Sequence, residues 1–144
     1  MPPYSPLLPL SNGEVEQLSP ATWAYLGDAV YELFIRTRLL LPATRLQVYH
    51  RQVIAQVCAE AQAEVVSKVA DYLTPSELDI VKRGRNAASG KPKRVKLSTY
   101  QQATGLEALL GYLYLTDPPR LEEVLAHVSH VIAELTDPSV QEIC

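Results

Sequence analysis

Two acidic residues stand where apolar ones belong. In Ala24-Tyr25-Leu26-Gly27-Asp28-Ala29-Val30-Tyr31, Asp28 is the only charge. From Ala103 to Leu115 the only charge is Glu107. A helix that is apolar all round is normally buried by its neighbours. A carboxylate on such a helix is costly unless something pairs with it. No basic residue lies within one helical turn of either acid. A bound hard cation would compensate the charge, and carboxylate oxygens suit Mg²⁺. The alternative is an acid exposed at the mouth of a groove, with no metal. Gly27 and Gly105 lie just before the two acids, and glycine suits close approach of another helix or a ligand.

Other chemistry-bearing residues are less organised. Glu32 shares a helix face with Asp28, four residues on, and could add a ligand or pair with Arg36 one turn later. His50, His127 and His130 form no H-x-x-x-H pair, and surface histidines are the simpler reading. Serines and threonines fall in caps and loops, without a nucleophile motif, and no phosphate-binding glycine loop is present. Cys58 and Cys144 have no metal-ligand spacing, so Cys58 is expected as a small core residue, with no disulfide and no zinc site.

Charge is unevenly distributed. Residues 82–96 carry seven of the thirteen basic residues and no acid, which leaves six basic residues against all sixteen acidic ones elsewhere. A mildly acidic body with one concentrated basic segment points to a local polyanion contact, or to a solvated charged loop.

The elements that must position these residues read as helices throughout. Four prolines in the first ten residues make an extended arm. Ser19 before Pro20 is an N-cap with proline at the first helical position, and Pro42 ends that helix. Thr44 is a candidate cap for a long pattern over residues 45–72. That pattern carries Val53, Val57, Ala61, Val65 and Val69 on one stripe, with a break expected near His50 or Arg51. Thr74-Pro75-Ser76-Glu77 is a capping box opening a short helix towards Arg83. Ser98 with Gln101 is a second box, opening a helix to Leu115. Asp117 or Pro118 caps a last helix over 119–135. No window alternates like a strand, so the expected fold is all-α. The expected divisions are an arm over 1–16, one helical domain over 17–136 and a tail over 137–144.

Size and composition agree with this. A chain of 144 residues, 47% hydrophobic and 20% charged, fits one domain with a real core. No stretch approaches the ~20 apolar residues that span a bilayer. The first basic residue is Arg36, too late for a secretory or transit signal. No membrane association and a cytoplasmic location are therefore expected.

The run Tyr25-Leu26-Gly27-Asp28-Ala29-Val30 resembles the signature of the ribonuclease III family. The block from Glu107 to Leu115 resembles that family's second acidic motif, and Arg83-Gly84-Arg85-Asn86 resembles a basic element the family carries. The likeness spans about residues 17–135. Trp23-Ala24-Tyr25 before the signature, Tyr31-Glu32 after it, and no room for a double-stranded RNA-binding domain resemble the Mini-ribonuclease III branch. That resemblance implies a homodimeric, all-helical, ribonuclease III-like endonuclease that matures the ends of precursor 23S ribosomal RNA.

The resemblance makes Asp28 and Glu107 the catalytic and metal-holding carboxylates. The larger enzymes carry two further acids, at positions where this chain has Ala24 and Thr104. A site reduced to two carboxylates still suffices for one Mg²⁺, which keeps several waters. Candidate phosphate contacts are Arg83, Arg85, Lys91, Lys93, Arg94 and Lys96. Trp23, Val30 and Leu33 on the signature helix are implied at the dimer interface. Two other functions fit the pattern: a non-catalytic RNA-binding module in ribosome assembly, and a helical adaptor for protein.

Overall fold

The computed structural model describes residues 7–90 and 92–135, and in them the chain is helical. Seven α-helices follow one another: α1 Asn12–Gln17, α2 Pro20–Arg38, α3 Leu46–Val57, α4 Ala59–Val69, α5 Pro75–Ala87, α6 Leu97–Thr116 and α7 Pro118–Leu135. A 3₁₀ turn, Ala70–Tyr72, joins α4 to α5. No strand occurs among the described residues, as the sequence led one to expect.

α6 is the axis of the fold. Leu106, Ala108, Leu109 and Leu110 are wholly buried, because α2, α4, α5 and α7 all pack on it. Its lack of a polar face follows from this central position. α7 shows the opposite pattern, with Leu121, Val124, Leu125, Val128, Val131 and Ile132 on one buried stripe.

The caps explain most helix starts. The Ser19 hydroxyl accepts from the Thr22 amide at 3.2 Å, ahead of Pro20. At α5 the Thr74 hydroxyl accepts from the Glu77 amide at 3.2 Å, and Glu77 accepts from the Thr74 amide at 2.9 Å. Asp117 accepts from the Arg120 amide at the start of α7.

Several boundaries differ from expectation. Ser11 and Glu14 form an unforeseen capping box that starts α1 inside the expected arm. Val15 is wholly buried there, and its carbonyl accepts from Trp23 Nε1 at 3.1 Å. The ordered core therefore begins before residue 17. The long pattern after Pro42 breaks at Cys58 rather than near His50, because Cys58 is extended (φ −64°, ψ 159°) and ends α3 as it starts α4. α3 begins at Leu46 without a side-chain cap from Thr44, and α6 begins at Leu97 without one from Ser98. α5 runs one turn beyond Arg83. Cys58 is disulfide-bonded, against the expectation of a free core thiol. Cys144 and the tail lie outside the described residues.

Candidate active site

The site is built where α2 crosses α6. A Cβ on Gly27 would lie 1.7 Å from the Glu107 carbonyl oxygen, and one on Gly111 would lie 1.9 Å from the Trp23 carbonyl oxygen. Any side chain there would overlap backbone, so glycine at both positions lets the helices touch main chain to main chain. Trp23 faces Gly111 and Gly27 faces Glu107, so the two helices run antiparallel. Asp28 follows one contact glycine and Glu107 precedes the other by a turn. The crossing therefore brings acids 79 residues apart in sequence to one place.

Both acids line a cleft of about 340 Å³, walled by Tyr25 of α2, Tyr100 of α6 and Ser89 beyond α5. Ala24 and Thr104 line the same cleft. The two positions where larger enzymes of the resembled family carry acids are thus cleft positions here, filled by a methyl and a hydroxyl. Thr104 Oγ1 donates to the Tyr100 carbonyl at 3.0 Å, so its hydroxyl is used by its own helix.

Asp28 is exposed and Glu107 half-buried. Burial, and then the adjoining Asp28 carboxylate, pushes the Glu107 carboxyl up to about 8. The Gln62 side chain works the other way and favours the carboxylate. Among the described residues three buried side-chain oxygens lack a partner: the Tyr31 hydroxyl, Gln56 Oε1 and Gln62 Oε1.

This donor set fits a divalent cation of the magnesium type. It offers two hard carboxylates that repel one another and leaves room for water ligands. No group of three or more His, Cys, Asp or Glu that could hold a metal ion occurs among the described residues.

The other expected site residues are placed as follows. Lys93, Arg94 and Lys96 are exposed and Arg85 half-buried, while Lys91 lies outside the described residues. Tyr100 donates to the Ser89 carbonyl at 3.0 Å, which ties the root of this basic loop to the helix bearing Glu107. Arg83 is placed differently from expectation: its guanidinium stacks 4.9 Å over the Trp23 ring. Trp23 itself requires correction. It is wholly buried, with Tyr112 edge-on at 4.9 Å, so it has no surface to give a partner. Val30 is also buried, whereas Leu33 is 58% exposed. Glu32 pairs with Arg36 at 3.0 Å, the simpler of its two readings. His127 stacks on Tyr72, and His50 and His130 are exposed.

A larger cleft of about 790 Å³ lies among α1, α5, α6 and α7, and shares no residue with the carboxylate cleft. Glu16, Glu77, Asp79 and Asp117 line it with Arg83, and Arg120 there is already paired with Glu77 and Glu123. That lining does not suit a phosphate chain. Sequence reasoning missed Gln62 and Tyr100, because an amide or a tyrosine in a helical stripe carries no motif.

An all-helical bundle holding paired carboxylates at a glycine crossing defines a class with known members. The Ribonuclease III domain family matches residues 21–118, and the chain belongs to the ribonuclease III family of endoribonucleases. It is 50% identical over 135 residues to the Mini-ribonuclease 3 of Thermosynechococcus vestitus, covering 92% of this chain and 89% of the relative. It is 54% identical over 116 residues to that of a Synechococcus species, covering 81% and 84%. A crystal structure of a Fusobacterium nucleatum protein superposes with a TM-score of 0.76 at 30% identity, covering 84% of this chain and 97% of that one.

Proposed function

We propose that the chain is a Mg²⁺-dependent endoribonuclease that cuts double-stranded RNA, with Asp28 and Glu107 as its metal-holding carboxylates. The observation that carries this reading is the convergence of those two acids in one cleft. A divalent ion held there would supply Lewis acidity for the phosphate and for an attacking water. Asp28, being exposed, presents the first carboxylate to solvent, and Glu107 gives up its proton to present the second. Ala24 and Thr104 contribute no charge, so Asp28 and Glu107 would be the carboxylates that hold the ion.

Substrate contact is assigned to the basic segment of this domain. Lys93, Arg94 and Lys96, with Arg85 and Lys91, form the basic segment proposed to meet phosphates. A-form RNA is read through shape, phosphates and 2′-hydroxyls, so one basic loop beside a cleft suits it. Cutting both strands requires two sites, which favours a symmetric homodimer. Leu33, exposed on α2 together with Tyr25 at 86%, is the apolar surface offered to the partner. Precursor 23S ribosomal RNA as the substrate and the cytoplasm as the site of action belong to this proposal, and both rest on the motif resemblance to the Mini-ribonuclease III branch. No helix of the described residues is long and apolar enough to cross a membrane.

The test is incubation of purified protein with a duplex RNA, in Mg²⁺ and in chelator, beside Asp28→Asn and Glu107→Gln. Cleavage is expected only with Mg²⁺ and only by the unsubstituted protein. Cleavage that survives both substitutions would remove Asp28 and Glu107 from the mechanism. Binding of the duplex without cleavage under any divalent ion would favour the RNA-binding module instead.

A further inference from the structure

Tyr100 is half-buried on α6, one turn before Thr104 and two before Glu107, and all three line the carboxylate cleft. Their spacing of four and then three residues makes them one face of the helix. Ala87, Ala88 and Ser89, at the end of α5 and just beyond it, line the same cleft. The Tyr100 hydroxyl donates to the Ser89 carbonyl at 3.0 Å, and so joins two walls of the cleft across eleven residues of sequence.

The chain changes direction straight after Ser89. Gly90 has φ +71°, in the left-handed region, and a Cβ there would meet nothing within 4 Å. Backbone conformation, not crowding, therefore calls for glycine. Further on, the Pro92 carbonyl accepts from the Val95 amide at 3.3 Å, which closes a turn with Lys93 and Arg94 at its two central positions. Both side chains are exposed, and among the described residues neither forms an ion pair. A phenylalanine would wall the cleft as well as a tyrosine does. What the hydroxyl adds is a fixed position for Ser89, and hence for the turn that leaves from it.

We propose that Tyr100 is a positioning residue for the RNA substrate: through the Ser89 carbonyl, its hydroxyl holds the root of the turn bearing Lys93 and Arg94 beside the cleft that Asp28 and Glu107 share. Phosphates met by that turn are thereby kept at a set distance from the two carboxylates. The bond itself is exposed. It adds little to the fold, and its loss frees the loop root without unfolding the domain.

This inference rests on the reading of the basic segment as the RNA contact of a nuclease, and its test separates the two. Affinity for a duplex RNA is measured in chelator by fluorescence anisotropy. The proteins are the unsubstituted chain, Tyr100→Phe, Lys93→Ala with Arg94→Ala, and all three substitutions together. Cleavage kinetics in Mg²⁺ and thermal unfolding accompany the series. Tyr100→Phe is expected to melt at the same temperature and to bind the duplex about threefold or more weakly. KM should rise by a similar factor, with kcat within about twofold. Without Lys93 and Arg94, the Tyr100→Phe step is expected to cost nothing further, because the turn it positions no longer carries charge.

Equal duplex affinity in Tyr100→Phe overturns the role of Tyr100. So does a loss that persists in full without Lys93 and Arg94, since it would then arise from the ring and not from the turn. Undiminished binding by Lys93→Ala with Arg94→Ala overturns the RNA contact, and the positioning role with it. No cleavage of the duplex by the unsubstituted protein overturns the nuclease reading, while the anisotropy series still decides the role of Tyr100. Should Tyr100→Phe fail to fold, Gly90→Ala decides, because alanine is strained at φ +71° and displaces the same turn with Tyr100 in place. It is expected to weaken duplex binding, and unchanged affinity overturns the proposal.

Discussion

The carbonyl oxygen of Glu107 occupies the space that a Cβ on Gly27 would need, 1.7 Å from where that atom would sit. The residue beside the first acid is thus fitted against the backbone of the second. Geometry of the pair depends on this contact more than on any side-chain interaction.

Gly27→Ala is therefore expected to force α2 and α6 apart. Backbone cannot yield as a flexible side chain can, so the loss of stability should exceed about 3 kcal/mol. Urea unfolding measures it, and a loss under about 1 kcal/mol would mean the crossing is looser than described.

Glu107 gives a pH signature in the absence of metal. Burial and Asp28 raise its pKa in the folded chain to about 8 from an ordinary 4.5. The folded state thus binds the proton more tightly than the unfolded state. The protein is favoured below the unfolded pKa, and that contribution is lost as pH rises through the interval up to about 8. In chelator, Glu107→Gln should remove this decline and be more stable than the parent near pH 8, by on the order of 2 kcal/mol. Superimposable pH–stability curves for the two proteins would count against a raised Glu107 carboxyl.

Glu77 has the opposite sign. Arg120 first, and the Thr74 cap after it, hold its carboxyl below the usual range despite burial. Its contribution is present above the ordinary carboxylate pKa of 4.5 and lost as pH falls through the depressed value. Glu77→Gln leaves Arg120, itself 19% exposed, with only Glu123 as an ionic partner. The expected cost at neutral pH is about 2 kcal/mol, shrinking in acid. Thermal melts across the acid range would reveal a constant difference if the pair contributes no pH dependence.

Neutralising Lys93, Arg94 and Lys96 together should weaken duplex binding with no change in melting temperature, since all three are exposed. The salt dependence of log Kd should flatten by roughly one unit per phosphate contact removed. An unchanged slope would assign the loop to solvent.

Leu33→Asp should leave the fold intact and shift sedimentation towards the monomer, because Leu33 offers surface to a partner and Trp23 does not. A protein that sediments as before would move the interface elsewhere.

Much of this molecule was legible in the sequence because its signals are local. Ser19-Pro20 and Thr74-Pro75-Ser76-Glu77 cap their helices with their own atoms, so the starts of α2 and α5 needed no tertiary information. The isolation of Asp28 and Glu107 on apolar helices is likewise a property of the chain, and so is the concentration of basic residues over 82–96. What escaped reading is set by contacts between distant segments. The break at Cys58 carries no glycine or proline to announce it. The burial of Trp23 depends on Val15, Tyr112 and Arg83 arriving from three other helices. Sequence by itself determined that two acids were misplaced and needed compensation. Only the tertiary structure decided that they share one cleft, because the Gly27–Gly111 crossing brings α2 and α6 into backbone contact.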